Sequence, residues 1–154
     1  MRLIRSVDHY QILGVQKEGL QRSALDRLRI IVADGNPLFL QNLVLLLATE
    51  YEVLATAADG RTALEIIRRF QPDVVVLDLR IPMLNGIEIT RILAADTPSP
   101  RVVICSVETG PDLVEAAQKA GAAAYVFKAR LKKDLLQAVK LAAQGKSFVS
   151  PARQ

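Results

Sequence analysis

The chain has 154 residues, of which 51% are apolar and 23% are charged, as is typical of one globular domain with a sizeable core. No apolar run approaches the roughly 18 residues of a membrane-spanning helix, and no signal-peptide block opens the sequence, so we expect a cytoplasmic protein without membrane contact. The net charge of +4 comes mostly from residues 1–29 and aromatic residues make up 5%, which argues against direct nucleic-acid binding by the folded body.

The first 28 residues lack the pattern of the rest of the chain. They contain a short apolar group at residues 11–15, and Ser23 precedes another in the manner of a helix N-cap. We interpret residues 1–28 as an N-terminal extension, flexible or loosely docked. It serves either as a partner-binding arm or as a simple tail.

From residue 29 onward, short apolar runs alternate with amphipathic stretches of helix length. The five runs are residues 30–33, 53–55, 74–77, 102–105 and 124–127. Continuous β-branched runs are typical of strands buried on both faces of a parallel sheet. The stretches between them repeat apolar residues at helical spacing, as at residues 63–70 and 135–143. The alternation predicts a three-layer α/β fold with an open, parallel, five-stranded sheet and five helices.

Polar residues directly follow four of the apolar runs: Asp34, Asp78, Ser106 and Lys128. In open parallel sheets, binding groups collect beyond the carboxyl ends of the strands, so these four side chains are expected to share one cleft. A carboxylate buried after the run at 74–77 needs a compensating partner, which Lys128 can supply. Each residue alone has another interpretation. Asp34, for example, could cap the helix that begins after Asn36.

Residues 29–151 resemble the receiver domain of bacterial two-component response regulators, in the subfamily that usually precedes a LuxR-type helix-turn-helix output domain. The matching segments are IIVADGNPLF, AADGRTALEIIRRFQPDVVVLDLRIPMLNGIE, VVICSVE and AGAAAYVFKA, with the tail LAAQGKSFVSP. The resemblance implies a flavodoxin-like strand order of 2-1-3-4-5. Residues 152–154 would then be a tail or the start of a linker.

The resemblance also implies roles for the residues at the strand ends. Asp78 is the implied phosphoacceptor for a phosphoryl group carried by a histidine of a sensor kinase or phosphotransfer protein. Ser106 is the switch hydroxyl that binds the phosphoryl oxygen, and Lys128 pairs with the same group. Tyr125 is the switch aromatic whose rotamer follows the hydroxyl. Phosphoryl transfer depends chiefly on alignment and charge neutralisation, which these residue types can provide.

The implied magnesium site departs from the family pattern. Its ligands would be Asp34, Asp78 and the main-chain carbonyl of Arg80, but Gly35 replaces the second of two adjacent acids. Magnesium prefers octahedral oxygen coordination, and a carboxylate about 4 Å from the ion contributes up to roughly 4 kcal/mol at an effective dielectric of 20. We therefore expect magnesium to bind weakly.

Two further features concern the mouth of the cleft and the last helix. Arg80 and Glu108 each lie two residues beyond a site residue, so we expect them to form an ion pair that gates the cleft. Arg130, Lys132 and Lys133 form a basic start to the last helix, which is either a solvated face or a docking surface for an acidic partner.

Two functions remain open from the sequence. The first is a phosphorelay receiver that is phosphorylated on Asp78 and switches a protein-interaction surface. The second is a pseudo-receiver, an interaction module regulated without phosphorylation, which Gly35 favours. Apart from phosphorylation and dephosphorylation of its own aspartate, no enzymatic activity is expected. A homodimer is a further expected assembly, and nucleic acid is expected to bind only through an output domain outside these residues.

Overall fold

The computed structural model describes residues 10–12 and 27–152. Within these residues, seven strands and five helices alternate. The strands are β1 (Tyr10–Ile12), β2 (Arg29–Ala33), β3 (Glu52–Ala57), β4 (Val74–Asp78), β5 (Arg101–Ser106), β6 (Ala124–Phe127) and β7 (Phe148–Val149). The helices are α1 (Pro37–Leu47), α2 (Gly60–Phe70), α3 (Gly86–Ala94), α4 (Pro111–Ala120) and α5 (Leu131–Ala143), with a 3₁₀ turn at Lys128–Arg130 before α5.

The strands form one sheet in the order β1-β3-β2-β4-β5-β6-β7. The five predicted strands are β2 to β6, and they occupy the predicted flavodoxin-like order with all their pairings parallel. The predicted number of five is wrong, because β7 adds a sixth parallel strand beside β6. With only two residues, β7 is too short to show the periodicity that identifies a strand.

The N-terminal segment contributes an antiparallel edge strand. β1 pairs with β3, with Tyr10 opposite Ala57 and Ile12 opposite Ala55. The predicted extension at residues 1–28 otherwise falls mainly on residues 1–9 and 13–26, which lie outside the described residues.

Alternating residues of the strands contribute side chains to two separate hydrophobic cores, one on each face of the sheet. Ile31 and Val75 pack with α2, α3 and α4 on one face of the sheet. Ile30 and Val74 pack with α1 and α5 on the other. These strand residues are fully buried. Burial on both faces explains why the strands are continuous apolar runs.

Side-chain caps start three helices close behind the strand ends. Asn36 accepts a hydrogen bond from the Phe39 N–H at 3.0 Å and begins α1, with Pro37 in the first turn. Asp59 caps α2 in the same way, and Asn85 forms a capping box with Glu88 at the start of α3. The short connections keep the loops at the carboxyl edge of the sheet compact. Among residues 27–152, no helix is long and apolar enough to cross a membrane.

Candidate functional site

The carboxyl edge of the sheet brings together the predicted acidic and basic side chains. Asp34 follows β2, Asp78 ends β4 and Lys128 follows β6. The Lys128 Nζ lies 2.8 Å from Asp34 Oδ2 and 3.2 Å from Asp78 Oδ1. Ser106 ends β5, one residue beyond Cys105, which pairs with Asp78 in the sheet register. Asp78 and Ser106 are therefore the last residues of their strands rather than the first beyond them.

Asp34 is the most deeply buried member of this cluster. Its side chain is 0% exposed, and its Oδ1 accepts the Asn36 N–H at 2.8 Å while its Oδ2 accepts from Lys128. The cap of α1 is Asn36 rather than Asp34. The helix-capping interpretation of Asp34 is therefore wrong, because both of its oxygens are engaged within the site.

Asp78 is the more accessible carboxylate, with 13% of its side chain exposed. Burial raises the pKa of Asp78, and the neighbouring charge of Asp34 raises it further, while the Lys128 ammonium opposes both effects. Burial acts to lower the pKa of Lys128, but its contacts with the two carboxylates outweigh burial and raise that pKa. Lys128 thus stays an ammonium at neutral pH beside the partly exposed carboxylate of Asp78.

An aromatic ring completes the surroundings of the ammonium. The Lys128 Nζ lies 4.0 Å from the centroid of the Phe39 ring, over its face. Phe39 is the third residue of α1. No sequence pattern indicated this contact, because it depends on how α1 packs beside the end of β6.

Ser106, Glu108 and Tyr125 form a second cluster next to the carboxylates. The Ser106 hydroxyl is buried and accepts the Glu108 N–H at 3.0 Å. The Tyr125 hydroxyl donates to the Glu108 carbonyl at 2.8 Å, and the tyrosine is 1% exposed. Burial raises the pKa of Tyr125, while a hydrogen bond with Ser106 acts against that shift. The predicted switch residues are thus linked through the main chain of Glu108, and the Tyr125 ring already lies inside the domain.

Arg80 and Glu108 form an ion pair at the rim of the site. The guanidinium donates two hydrogen bonds to the carboxylate, one of them from Nη2 to Oε1 at 2.9 Å. The Arg80 side chain is 66% exposed and the Glu108 side chain 31% exposed. This pair lowers the pKa of Glu108. Glu108 therefore links the rim of the site to Ser106 and Tyr125.

Gly35 lies against the proline of the β4–α3 loop. A Cβ atom built on Gly35 would lie 2.8 Å from Pro82 Cδ and 3.3 Å from Pro82 Cγ. Real Cβ contacts are not that short, so a side chain at position 35 requires Pro82 to move. The place of the missing second acid is therefore partly filled by the proline ring.

The oxygen donors at the site are chemically suited to magnesium but few in number. The carboxylates of Asp34 and Asp78 lie there on one ammonium, and carboxylate oxygens are ligands that magnesium prefers. Both Asp34 oxygens already accept hydrogen bonds. Residues 27–152 contain no group of three or more His, Cys, Asp or Glu side chains that could hold a metal ion.

The basic start of α5 also contains a buried acid. Asp134 lies in the first turn and accepts from the Arg130 Nε at 2.8 Å and from the Ser150 hydroxyl at 2.7 Å. The Ser150 Oγ in turn accepts the Phe127 N–H at 3.0 Å. The sequence did not indicate this network. It holds Ser150, which follows β7, next to Phe127, the residue before Lys128.

A cleft of about 810 Å³ lies between α1 and the start of α5. Lys132 and Lys133 line one side, and Leu45 and Leu46 line the other. Leu45 is largely exposed. The basic cluster therefore borders a partly apolar surface.

Comparison with known protein families matches residues 30–140 to the response regulator receiver domain. The chain is 32% identical over 128 residues to the transcriptional regulatory protein DegU of Brevibacillus brevis, a match that covers 82% of this chain and 54% of that protein. It is 32% identical over 129 residues to the probable transcriptional regulatory protein NarL of Mycobacterium tuberculosis, covering 82% of this chain and 60% of that protein. The chain thus spans little more than half the length of these curated relatives.

The chain is also similar to solved structures of response regulators. A LuxR-family two-component response regulator from Aurantimonas sp. SI85-9A1 is 32% identical, with a TM-score of 0.77 over 82% of this chain and 91% of that chain. The signal receiver domain of the putative response regulator NarL from Mycobacterium tuberculosis is 31% identical, with a TM-score of 0.74 over 79% of this chain and 99% of that chain.

Proposed function

The chain belongs to the response regulator receiver domain family, and from this premise we propose that it accepts its phosphoryl group on Asp78. The donor is a phosphohistidine of a sensor kinase or phosphotransfer protein. The observation that carries this assignment is the contact of one ammonium, that of Lys128, with both Asp34 and Asp78. Of the two carboxylates, only Asp78 is partly exposed and so able to meet a donor.

The proposed reaction is a direct transfer to a carboxylate oxygen. An Asp78 oxygen attacks phosphorus in line, the phosphorus–nitrogen bond to the donor histidine breaks, and the ring nitrogen keeps the electron pair and takes a proton from water. Charge develops on the three equatorial oxygens of the phosphoryl group. The Lys128 ammonium and the Ser106 hydroxyl are the donors placed at this edge of the sheet to stabilise that charge.

Magnesium binding is typical of the family. In this chain, Asp34, Asp78 and the Arg80 carbonyl would hold the ion, which supplies positive charge to the phosphoryl oxygens when bound. We expect weak binding because Gly35 provides no carboxylate and both oxygens of Asp34 are already hydrogen bonded.

The phosphorylated site is expected to act on its surroundings through Ser106. Its hydroxyl can donate to a phosphoryl oxygen while its Oγ still accepts the Glu108 N–H. Because Tyr125 is already buried and bonded to the Glu108 carbonyl, the expected response is a change in that hydrogen bond rather than entry of the ring into an empty space. The affected surface lies around β6 and α5, where a homodimer or another partner would respond.

The ion pair of Arg80 and Glu108 is proposed to gate the mouth of the cleft. It spans the rim between the β4–α3 and β5–α4 connections. In that position it can limit the access of water to phosphorylated Asp78.

The relatives' names indicate the wider role. The two curated relatives are named a transcriptional regulatory protein and a probable transcriptional regulatory protein, and this chain matches little more than half of their length. We propose that the receiver controls transcription in the cytoplasm through an output domain that contacts DNA, while the receiver itself does not.

Phosphorylation is tested by intact-mass measurement after incubation with acetyl phosphate and magnesium. The wild type is expected to gain the mass of one phosphoryl group, and Asp78→Asn is expected to gain none. Asp112→Asn, which changes an exposed carboxylate on α4, is the matched control and should be labelled like the wild type. A wild type that takes no label would contradict the proposal and favour the pseudo-receiver function. Equal labelling of Asp78→Asn would place the acceptor elsewhere.

A further inference from the structure

The Lys128 ammonium is enclosed by three groups rather than two. Besides its ion pairs with Asp34 and Asp78, its Nζ lies 4.0 Å from the centroid of the Phe39 ring. Only 8% of the Lys128 side chain is exposed. The face of an aromatic ring is the negative part of its quadrupole and attracts a cation within about 6 Å of the centroid.

The turn between β2 and α1 links two of these three groups, Asp34 and Phe39. Asp34 accepts the Asn36 N–H at 2.8 Å, and the Asn36 side chain accepts the Phe39 N–H at 3.0 Å. The carboxylate and the backbone that carries the ring are therefore fixed relative to each other. Pro37 in the first turn of α1 restricts that backbone further.

From this geometry we propose that Phe39 is a positioning residue that holds the Lys128 ammonium at the phosphorylation site through the face of its ring. The inference rests on the proposed function of Asp78. When Asp78 becomes an acyl phosphate, its carboxylate charge is lost and the ammonium must exchange that partner for a phosphoryl oxygen. Asp34 and Phe39 are the contacts that can persist through the exchange.

The ring is suited to this task because it attracts charge without fixing hydrogen-bond direction. An ammonium has three N–H donors, and two of them face carboxylate oxygens. A third carboxylate would compete with the phosphoryl group for the remaining donor. An aromatic face keeps the cation in place and leaves it free to reorient.

The test separates the electrostatics of the ring from its packing. Site-specific replacement of Phe39 by mono-, di- and trifluorophenylalanine weakens the negative ring face while largely keeping its shape, so folding is preserved. The first readout is the rate of phosphoryl labelling by acetyl phosphate. We expect a stepwise fall across the series, about threefold overall, and a similar or larger fall for Phe39→Leu. Phe39→Tyr, which keeps an electron-rich face, should label at close to the wild-type rate.

The second readout does not depend on phosphorylation. Proton NMR of the Lys128 ε-methylene group should show an upfield ring-current shift in the wild type that is lost in Phe39→Leu. Fluorination of Phe148, a half-buried ring in β7, is the matched control and should leave the labelling rate unchanged.

The outcomes distinguish this inference from the proposed function. An unchanged labelling rate across the fluorinated series, with a fall only in Phe39→Leu, would mean that the ring acts by packing alone and would overturn the proposal. If the wild type takes no label, the proposed function fails. The ring-current shift of Lys128 then tests whether Phe39 positions the ammonium. Equal Lys128 shifts in wild type and Phe39→Leu would then overturn the contact of the ring with the ammonium as well, whereas an upfield shift present only in the wild type would show that the ring positions Lys128 although Asp78 is not phosphorylated.

Discussion

Restoring the missing acid at position 35 tests the magnesium site and its steric limit together. Gly35→Asp places a carboxylate beside Asp34, but its Cβ would lie 2.8 Å from Pro82 Cδ. A proline ring cannot rotate away as a flexible side chain can. Overpacking of this kind costs about 1–3 kcal/mol, so the single variant should lower the free energy of unfolding by that amount.

Removing the contact between position 35 and Pro82 should allow the added carboxylate to increase the magnesium affinity. A unit charge about 4 Å from the ion contributes up to about 4 kcal/mol at an effective dielectric of 20. We therefore expect Gly35→Asp with Pro82→Ala to bind magnesium at least tenfold more tightly than the wild type, and more tightly than Gly35→Asp alone. Isothermal titration calorimetry measures the affinity, and urea unfolding followed by circular dichroism measures the stability.

Pro82→Ala is the control for the double variant and should leave the magnesium affinity near that of the wild type. Equal affinities of wild type and double variant would show that position 35 is outside the metal shell. Full affinity in Gly35→Asp without loss of stability would show that Pro82 does not restrict the position.

Three further predictions concern stability and the lifetime of the phosphorylated state. Ser150→Ala removes a charge-assisted hydrogen bond to Asp134 and leaves a buried N–H without its acceptor. Ser150→Ala should lower the free energy of unfolding, measured in urea, by about 2–4 kcal/mol. The control Ser147→Ala changes an exposed serine and should leave that free energy almost unchanged. Equal losses in the two variants would contradict a stabilising role of the network. Because burial raises the pKa of Asp78, the folded state disfavours its ionised form. Asp78→Asn should therefore raise the melting temperature at neutral pH, and the difference from wild type should shrink as pH falls through the folded-state pKa; a difference constant with pH would refute this. Glu108→Ala should shorten the lifetime of phosphorylated Asp78 in a mass-spectrometric time course with little change in stability, and an unchanged lifetime would exclude gating.

The central fold was predictable because burial on both faces of the sheet leaves a strong sequence signal. Four-residue runs such as Val74–Leu77 have no polar position, and amphipathic helices separate them. The edge strands carry no such signal. β7 consists of Phe148 and Val149 only, and the residue after it, Ser150, is hydrogen bonded to Asp134, 16 positions away in sequence.

The composition of the site was predictable to a similar extent. The rule that binding groups follow the carboxyl ends of parallel strands selected Asp34, Asp78, Ser106 and Lys128, and the structure brings Lys128 into contact with both acids. The rule says nothing about groups supplied by packed helices and loops. Phe39 reaches the site because of how α1 is seated, a tertiary relationship absent from any local pattern.

The glycine at position 35 changes the charge of the site as well as its set of metal ligands. The missing acid removes a ligand, but it also removes a negative charge that a cation would have to neutralise. Two carboxylates and one ammonium leave the cluster of Asp34, Asp78 and Lys128 with one net negative charge when all three are ionised, whereas a third acid would leave two. With Pro82 lying against Gly35, we expect the site to depend more on the Lys128 ammonium and less on a divalent ion to neutralise the incoming phosphoryl group. Weak magnesium binding is therefore compatible with retained phosphoryl acceptance.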